Sequence, residues 1–242
     1  MTSHHTIDTG PAGAGAGAGV PLGAVDAGSG LVRFMEMDFE LGPNVLAPRE
    51  ETELLGKVCV EHLAHGVAEP VVIDMCCGSG NLGIAIARNI EGARVYACDL
   101  TPETVEVARR NVGRFSLGDR VTVVQGDLFE NIRNQGLEGM VDMVVCNPPY
   151  ISSGRLTADR AHLLEHEPRE AFDGGPYGIA IHQRLIYDAL DFLRPGGALA
   201  FEFGEGQERQ TLALVTRTAG YSSARFVFDV SGVPRAALCL KR

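Results

Sequence analysis

The sequence contains no apolar run near the roughly 18 residues needed to cross a membrane. Nor does it open with a basic stretch followed by a long apolar segment, the form of a secretory signal. Basic residues are scarce: 21 Lys and Arg stand against 31 Asp and Glu, for a net charge of −10. A protein that holds nucleic acid mainly through its phosphates needs basic stripes, and this balance disfavours one. Zinc-ribbon spacing is missing too. The six cysteines, Cys59, Cys76, Cys77, Cys98, Cys146 and Cys239, are scattered through apolar runs, as buried free thiols of a reducing compartment would be. Membrane, secreted and zinc-finger classes are excluded, no metal is expected, and a cytoplasmic location is. With 242 residues, 45% of them hydrophobic, the chain builds a core without staples.

What is present divides into two materials. Gly, Ala, Ser and Pro dominate residues 1–30, which have little to bury and a high ordering entropy; they are expected to be a flexible tail. Residues 31–69 form a cap segment, whose helix from Glu51 to Ala64 carries Leu54, Leu55, Val58 and Leu63. From Pro70 to the end, residues 70–242, strands and helices alternate. Strands are expected at V-V-I-D-M after Pro70, A-R-V-Y-A-C-D ending in Asp99, Val121–Asp127, Val141–Asn147 and A-L-A-F-E-F after Gly197. Helices begin at Asn81, at Thr101-Pro102 (an N-cap and first-turn proline), near Ile179 and near Gln207. Two terminal strands, Ala224–Val230 and Ala236–Leu240, are joined by too few residues for a crossover and should be antiparallel. The pattern is an α/β, Rossmann-like fold: a mostly parallel seven-stranded sheet with an antiparallel C-terminal strand and helices on both faces.

In such sheets ligands bind beyond the carboxyl ends of the strands. Four polar residues end strands here: Asp74, Asp99, Asp127 and Asn147. The loop G-S-G-N-L-G, Gly78 to Gly83, matches GxGxxG, a weak motif by itself. Its glycines admit a close ligand, and the helix start offers free N–H groups. Asp99 stands where a carboxylate can accept from ribose hydroxyls, which suits any adenosine cofactor, so a dinucleotide-dependent oxidoreductase is a distant rival. Asp74, before the loop, would repel a pyrophosphate and suit a cationic ligand, as S-adenosylmethionine (AdoMet) is. Asp127 is then placed to accept from the adenine amino group.

The stretch V-V-C-N-P-P-Y, Val144 to Tyr150, decides the chemistry. Asn147 precedes proline and is biased to extended backbone, and Pro148 and Pro149 stiffen the turn. The Asn147 side-chain oxygen and the Pro148 carbonyl can both accept from one NH2 group, while Tyr150 offers a flat face to a planar amide or ring. Cys146 adjoins Asn147 but has no base beside it in sequence, which argues against covalent catalysis. Glu167, Asp173 and Glu202 are candidates for shaping the acceptor pocket; His162, His166 and His182 receive no role.

These motifs resemble the class I AdoMet-dependent methyltransferases, and more closely the protein-(glutamine) N-methyltransferases of peptide chain release factors. Besides N-P-P-Y, the segments V-L-A-P-R-E-E-T-E-L-L (Val45 to Leu55), E-P-R-E-A-F-D-G-G (Glu167 to Gly175) and F-E-F-G-E-G-Q (Phe201 to Gln207) match in type and order. The resemblance implies that Cys76, Cys77, Gly78, Ser79 and Gly80, with Asp99, Leu100 and Leu128, contact AdoMet, whose product is S-adenosylhomocysteine. Asn147 would touch cofactor and acceptor, and Asn147, Pro148, Pro149 and Tyr150 would grip the acceptor. Three departures stand out. Glu50 replaces a usual proline, and Cys76 replaces the loop's first glycine, which is similar to a related subgroup. The Gly/Ala-rich tail stands where the family has an N-terminal helical domain. The expected partner is a methyl-acceptor protein such as a release factor. The alternatives are a small-molecule acceptor of specialised metabolism and, disfavoured by charge, a nucleic-acid base.

Overall fold

The computed structural model describes residues 30–158 and 169–242. The expected flexible tail therefore lies outside the described residues, as do His162, His166 and Glu167. A short antiparallel hairpin comes first, β1 (Leu31–Phe34) and β2 (Met37–Glu40), followed by α1 (Glu50–Ala64). The alternating body is β3 (Val71–Met75), α2 (Asn81–Asn89), β4 (Arg94–Asp99), α3 (Pro102–Arg114), β5 (Val121–Gln125), β6 (Val141–Cys146) and α4 (Ser153–Ala158). Then come α5 (Ala180–Phe192), β7 (Leu193–Glu202), α6 (Glu208–Thr218), β8 (Tyr221–Phe228) and β9 (Pro234–Lys241).

The large sheet has seven strands in the order β5-β4-β3-β6-β7-β9-β8. Pairs among β3 to β7 are parallel; β9 runs antiparallel to both β7 and β8. The expected fold class holds. Chain order reverses direction between β3 and β6, so a crevice opens beyond the carboxyl ends of those two strands.

Alternation along the central strands splits the core. Val72, Val95, Val121, Met143 and Ala198 face α1, α2, α3 and the hairpin; Ile73, Val144, Leu199 and Phe201 face α5 and α6. β6 is buried at every position, as expected for a strand covered on both faces. α2 is built from small and aliphatic residues because it lies tight on the sheet: a Cβ on Gly83 would sit 2.9 Å from both Asp74 Oδ2 and Val95 Cγ1. α3 starts where the N-cap and proline place it, with Thr101 Oγ1 accepting from the Thr104 N–H at 3.3 Å.

The hairpin was not anticipated. Its turn residues Met35 and Glu36 both have positive φ, 44° and 64°, a conformation usually signalled by Gly, Asn or Asp. Tertiary contacts hold it instead. Phe34 and Phe39 are fully buried edge to face, and Glu53 accepts the Met35 N–H at 2.6 Å. No helix among the described residues is long and apolar enough to cross a membrane.

Candidate active site

Two cavities open at the carboxyl ends of the strands and meet at Asn147. The first, about 390 Å³, is lined by the ends of β3, β4 and β5, from Met75 to Gly78, Asp99 to Thr101 and Gly126 to Leu128. The second, about 730 Å³, lies against the ends of β6 and β7 and includes Pro148, Tyr150, Glu202 and Gln207. Asn147, Leu46 and Ala171 line both. Volumes of this order suit small ligands.

Asp99 holds the first cavity's wall together. Its two oxygens accept the N–H groups of Gly78 (2.9 Å) and Leu100 (2.8 Å). Burial raises its carboxyl above the ordinary range, and these backbone donors oppose that shift. Asp127 lines the same cavity and pairs with Arg184 at 3.0 Å. Three non-glycine lining residues, Asn44, Cys76 and Leu128, have φ of 62°, 56° and 49°. Such backbone costs about 1–3 kcal/mol and tends to gather at functional sites. At Cys76 the strain explains why a glycine would be the ordinary choice there.

Three expected cofactor residues do not line the cavity. Asp74 is fully buried behind the loop, where its Oδ2 accepts the Gly83 N–H at 2.7 Å. Gly83 draws α2 so close that this carboxylate caps the helix's first turn, so it does not face a ligand as the sequence reading had it. Ser79 is buried, its hydroxyl donating to Asn81 Oδ1 at 3.3 Å, and Gly80, with φ 79°, is the N-cap that precedes α2.

The N-P-P-Y turn is pinned from outside. Gln207 Nε2 donates to the Tyr150 carbonyl at 2.9 Å, and Ile151 bridges to Asp173. Asp173 in turn accepts from Ser153 Oγ (2.6 Å) and the Gly175 N–H (3.0 Å). Pro149 faces the first cavity, whereas Pro148 and Tyr150 face the second. The Tyr150 hydroxyl donates to Glu202 Oε1 at 3.1 Å. Glu202 is pushed up to about 7 by burial, with the Thr52 and Tyr150 hydroxyls opposing. Cys146 is fully buried and its thiol is pushed well up by that burial, so it is no nucleophile. His182 binds the Glu202 carbonyl at 2.9 Å, and burial lowers it to about 4.

Sequence reasoning missed Thr52 and Asn81. Thr52 is buried on α1 yet lines the first cavity; Asn81, the first residue of α2, is 8% exposed and lines it too. The Asn81 Nδ2 has no hydrogen-bond partner. A buried donor left unsatisfied costs about 1–3 kcal/mol. It therefore suits a ligand that brings an acceptor, such as a carboxylate. The residues present fit AdoMet on that count.

A mostly parallel sheet with one antiparallel strand inserted next to its edge, a loop cavity at its switch point and an N-P-P-Y turn at the next strand defines a class I methyltransferase. The family model "Methyltransferase small domain" matches residues 49–175. A release factor glutamine methyltransferase from Moorella thermoacetica is 36% identical over 225 residues, covering 93% of this chain and 76% of that protein. The chain is a methyltransferase and belongs to this family. A 4-amino-L-phenylalanine/4-methylamino-L-phenylalanine methyltransferase from Streptomyces pristinaespiralis is 34% identical over 199 residues, covering 81% of this chain and 66% of that one. Among solved structures, the N-terminal domain of human METTL16 in complex with SAH superposes with a TM-score of 0.59 at 17% identity. The overlap covers 84% of this chain and 75% of that one, a likeness of fold.

Proposed function

We propose that this protein transfers the methyl group of AdoMet to the side-chain amide nitrogen of a glutamine in a peptide chain release factor, in the cytoplasm. The observation that carries the reading is the meeting of two cavities at Asn147, inside an N-P-P-Y turn. The likeness to relatives named for that reaction supports it. AdoMet, bound in the first cavity, supplies an electrophilic methyl on a cationic sulfur. Asp99 would accept from its ribose, Asp127 from its adenine amino group and Asn81 would donate to its carboxylate, with Cys76, Cys77, Gly78, Leu100 and Leu128 around it. Asp74, Ser79 and Gly80 shape the loop from behind.

An amide nitrogen is a poor nucleophile, because its lone pair is delocalised into the carbonyl. Two acceptors on its protons, the Asn147 oxygen and the Pro148 carbonyl, would orient it and stabilise the positive charge it gains. Tyr150 would hold the amide plane. Positioning of this kind supplies most of the rate in such transfers. The test is incubation with AdoMet carrying a deuterated methyl group and purified release factor, followed by peptide mass spectrometry. Label on a glutamine side chain is expected. An unlabelled release factor alongside methylated 4-amino-phenylalanine would refute the protein acceptor and favour an aromatic amine.

A further inference from the structure

We infer that Thr52 is the positioning residue that fixes which end of the Asn147 amide faces the methyl acceptor. The inference rests on the proposed transfer to an NH2 group. The geometry is a chain of three side chains from three elements. Asn147 Nδ2 donates to Thr52 Oγ1 at 3.0 Å, and Thr52 Oγ1 donates to Glu202 Oε2 at 2.9 Å. A hydroxyl has one proton. Thr52 gives it to the carboxylate, so toward Asn147 it can only accept. The Asn147 nitrogen is therefore tied down, and its oxygen is the polar atom left for the cavities. An acceptor must then arrive as a donor: an NH2 fits, while a carboxylate meets oxygen against oxygen.

Glu202 sets the direction of the chain. It is 1% exposed and accepts hydrogen bonds from two hydroxyls, Thr52 and Tyr150. Ionised, it can only accept, and the amide stays locked. Protonated, it has a proton to give back to Thr52, whose own proton is then free for the Asn147 oxygen, and the amide flips. Around this carboxylate, Glu51 raises its protonation, Arg49 opposes it, and His182 meets its backbone carbonyl. With Glu202 raised to about 7, the lock should be complete at pH 8 and loosen below neutrality.

The experiment compares the wild type with Thr52→Val, Thr52→Ser and Glu202→Gln. Nitrogen NMR of the Asn147 side chain reads the lock without any acceptor. At pH 8 the wild-type and Thr52→Ser amide protons should exchange slowly, and those of Thr52→Val quickly. The wild-type signal should loosen on acidification through about pH 7, and Glu202→Gln should remove that transition. With release factor as acceptor, Thr52→Val should lower kcat about 10- to 100-fold and change AdoMet affinity by less than about threefold in calorimetry. Thr52→Ser should restore kcat to within about threefold. The inference is overturned if Thr52→Val leaves the Asn147 amide protons protected, if serine fails as valine does, or if the acid transition survives in Glu202→Gln. A wild type that locks Asn147 but leaves release factor unlabelled would instead refute the acceptor, because the NMR readout stands apart from it.

Discussion

Asp74→Asn should flatten the dependence of stability on pH. The Asp74 carboxyl is fully buried, its Oδ1 has no partner, and its Oδ2 takes the Gly83 N–H. Burial lifts it from 3.8 to about 7, with the Gly83 donor opposing and the charge of Asp99 adding. A carboxyl raised in the folded state favours folding while protonated. Its contribution is full below the unfolded value and is lost as pH rises through about 7. Linkage with those two values makes the wild type lose about 2–3 kcal/mol from this group between pH 5 and pH 8. Asparagine keeps an acceptor for Gly83 at the same place and cannot ionise. Urea denaturation of both proteins at pH 5 and pH 8 isolates the difference, since Glu202 and the other titrating groups are common to both. If the two stabilities change in parallel to within about 0.5 kcal/mol, the ionisation of Asp74 is not what this burial controls.

Gly83→Ala, which puts a methyl 2.9 Å from Asp74 Oδ2 and Val95 Cγ1, should cost about 1–3 kcal/mol in denaturant unfolding. Asn81→Ala removes an unpartnered buried donor but also the acceptor of the buried Ser79 hydroxyl, so the ligand-free protein should change in stability by less than about 1 kcal/mol. The same variant should weaken AdoMet about fivefold in calorimetry, the worth of one hydrogen bond. Asp99→Ala should lose both AdoMet affinity, by roughly 1.5–3 kcal/mol, and thermal stability, because the same carboxylate ties Gly78 to Leu100. Asn147→Ala should retain the fold and lose about 100- to 1000-fold in single-turnover methyl transfer.

Most of the sheet strands were legible as apolar runs bounded by Gly, Pro or Asp, whereas β8 starts at Tyr221, three residues before the expected Ala224, because Ser222 and Ser223 carry no strand pattern. The antiparallel pair was legible because Ser231 to Val233 is too short a link for a helix. The β1–β2 hairpin was not, since Met35 and Glu36 enter positive φ under tertiary contacts and carry no turn chemistry of their own. β7 begins at Leu193, earlier than its apolar pattern, because Leu193 pairs with Val141 ahead of an irregularity, and the regular ladder resumes only at Met143 and Ala198. At the site, the strand-end positions of Asp99, Asp127 and Asn147 followed from strand length alone. The direction of Asp74 did not, because it depends on how closely α2 lies on the sheet. Nor did Thr52, which is separated from Asn147 by 95 residues and from Glu202 by 150.

These placements explain how an acidic protein can serve a cationic ligand without relying on bare charge. Most carboxylates near the cavities are already committed: Asp99 to two backbone donors, Asp173 to a hydroxyl and a backbone N–H, Asp127 to Arg184, Glu202 to two hydroxyls. They hold the loops in place before anything binds, so little ordering is left for the ligand to induce. What stays open is sparse and directional, an amide nitrogen at Asn81 and an amide oxygen at Asn147. One is a donor suited to an anionic end of the ligand, the other an acceptor suited to an NH2. On the proposed reading, discrimination depends on the orientation of two neutral side chains, each held by a neighbour: Ser79, two residues before it, for Asn81, and Thr52 on α1 for Asn147. Changing either neighbour should therefore alter selectivity before it alters the fold.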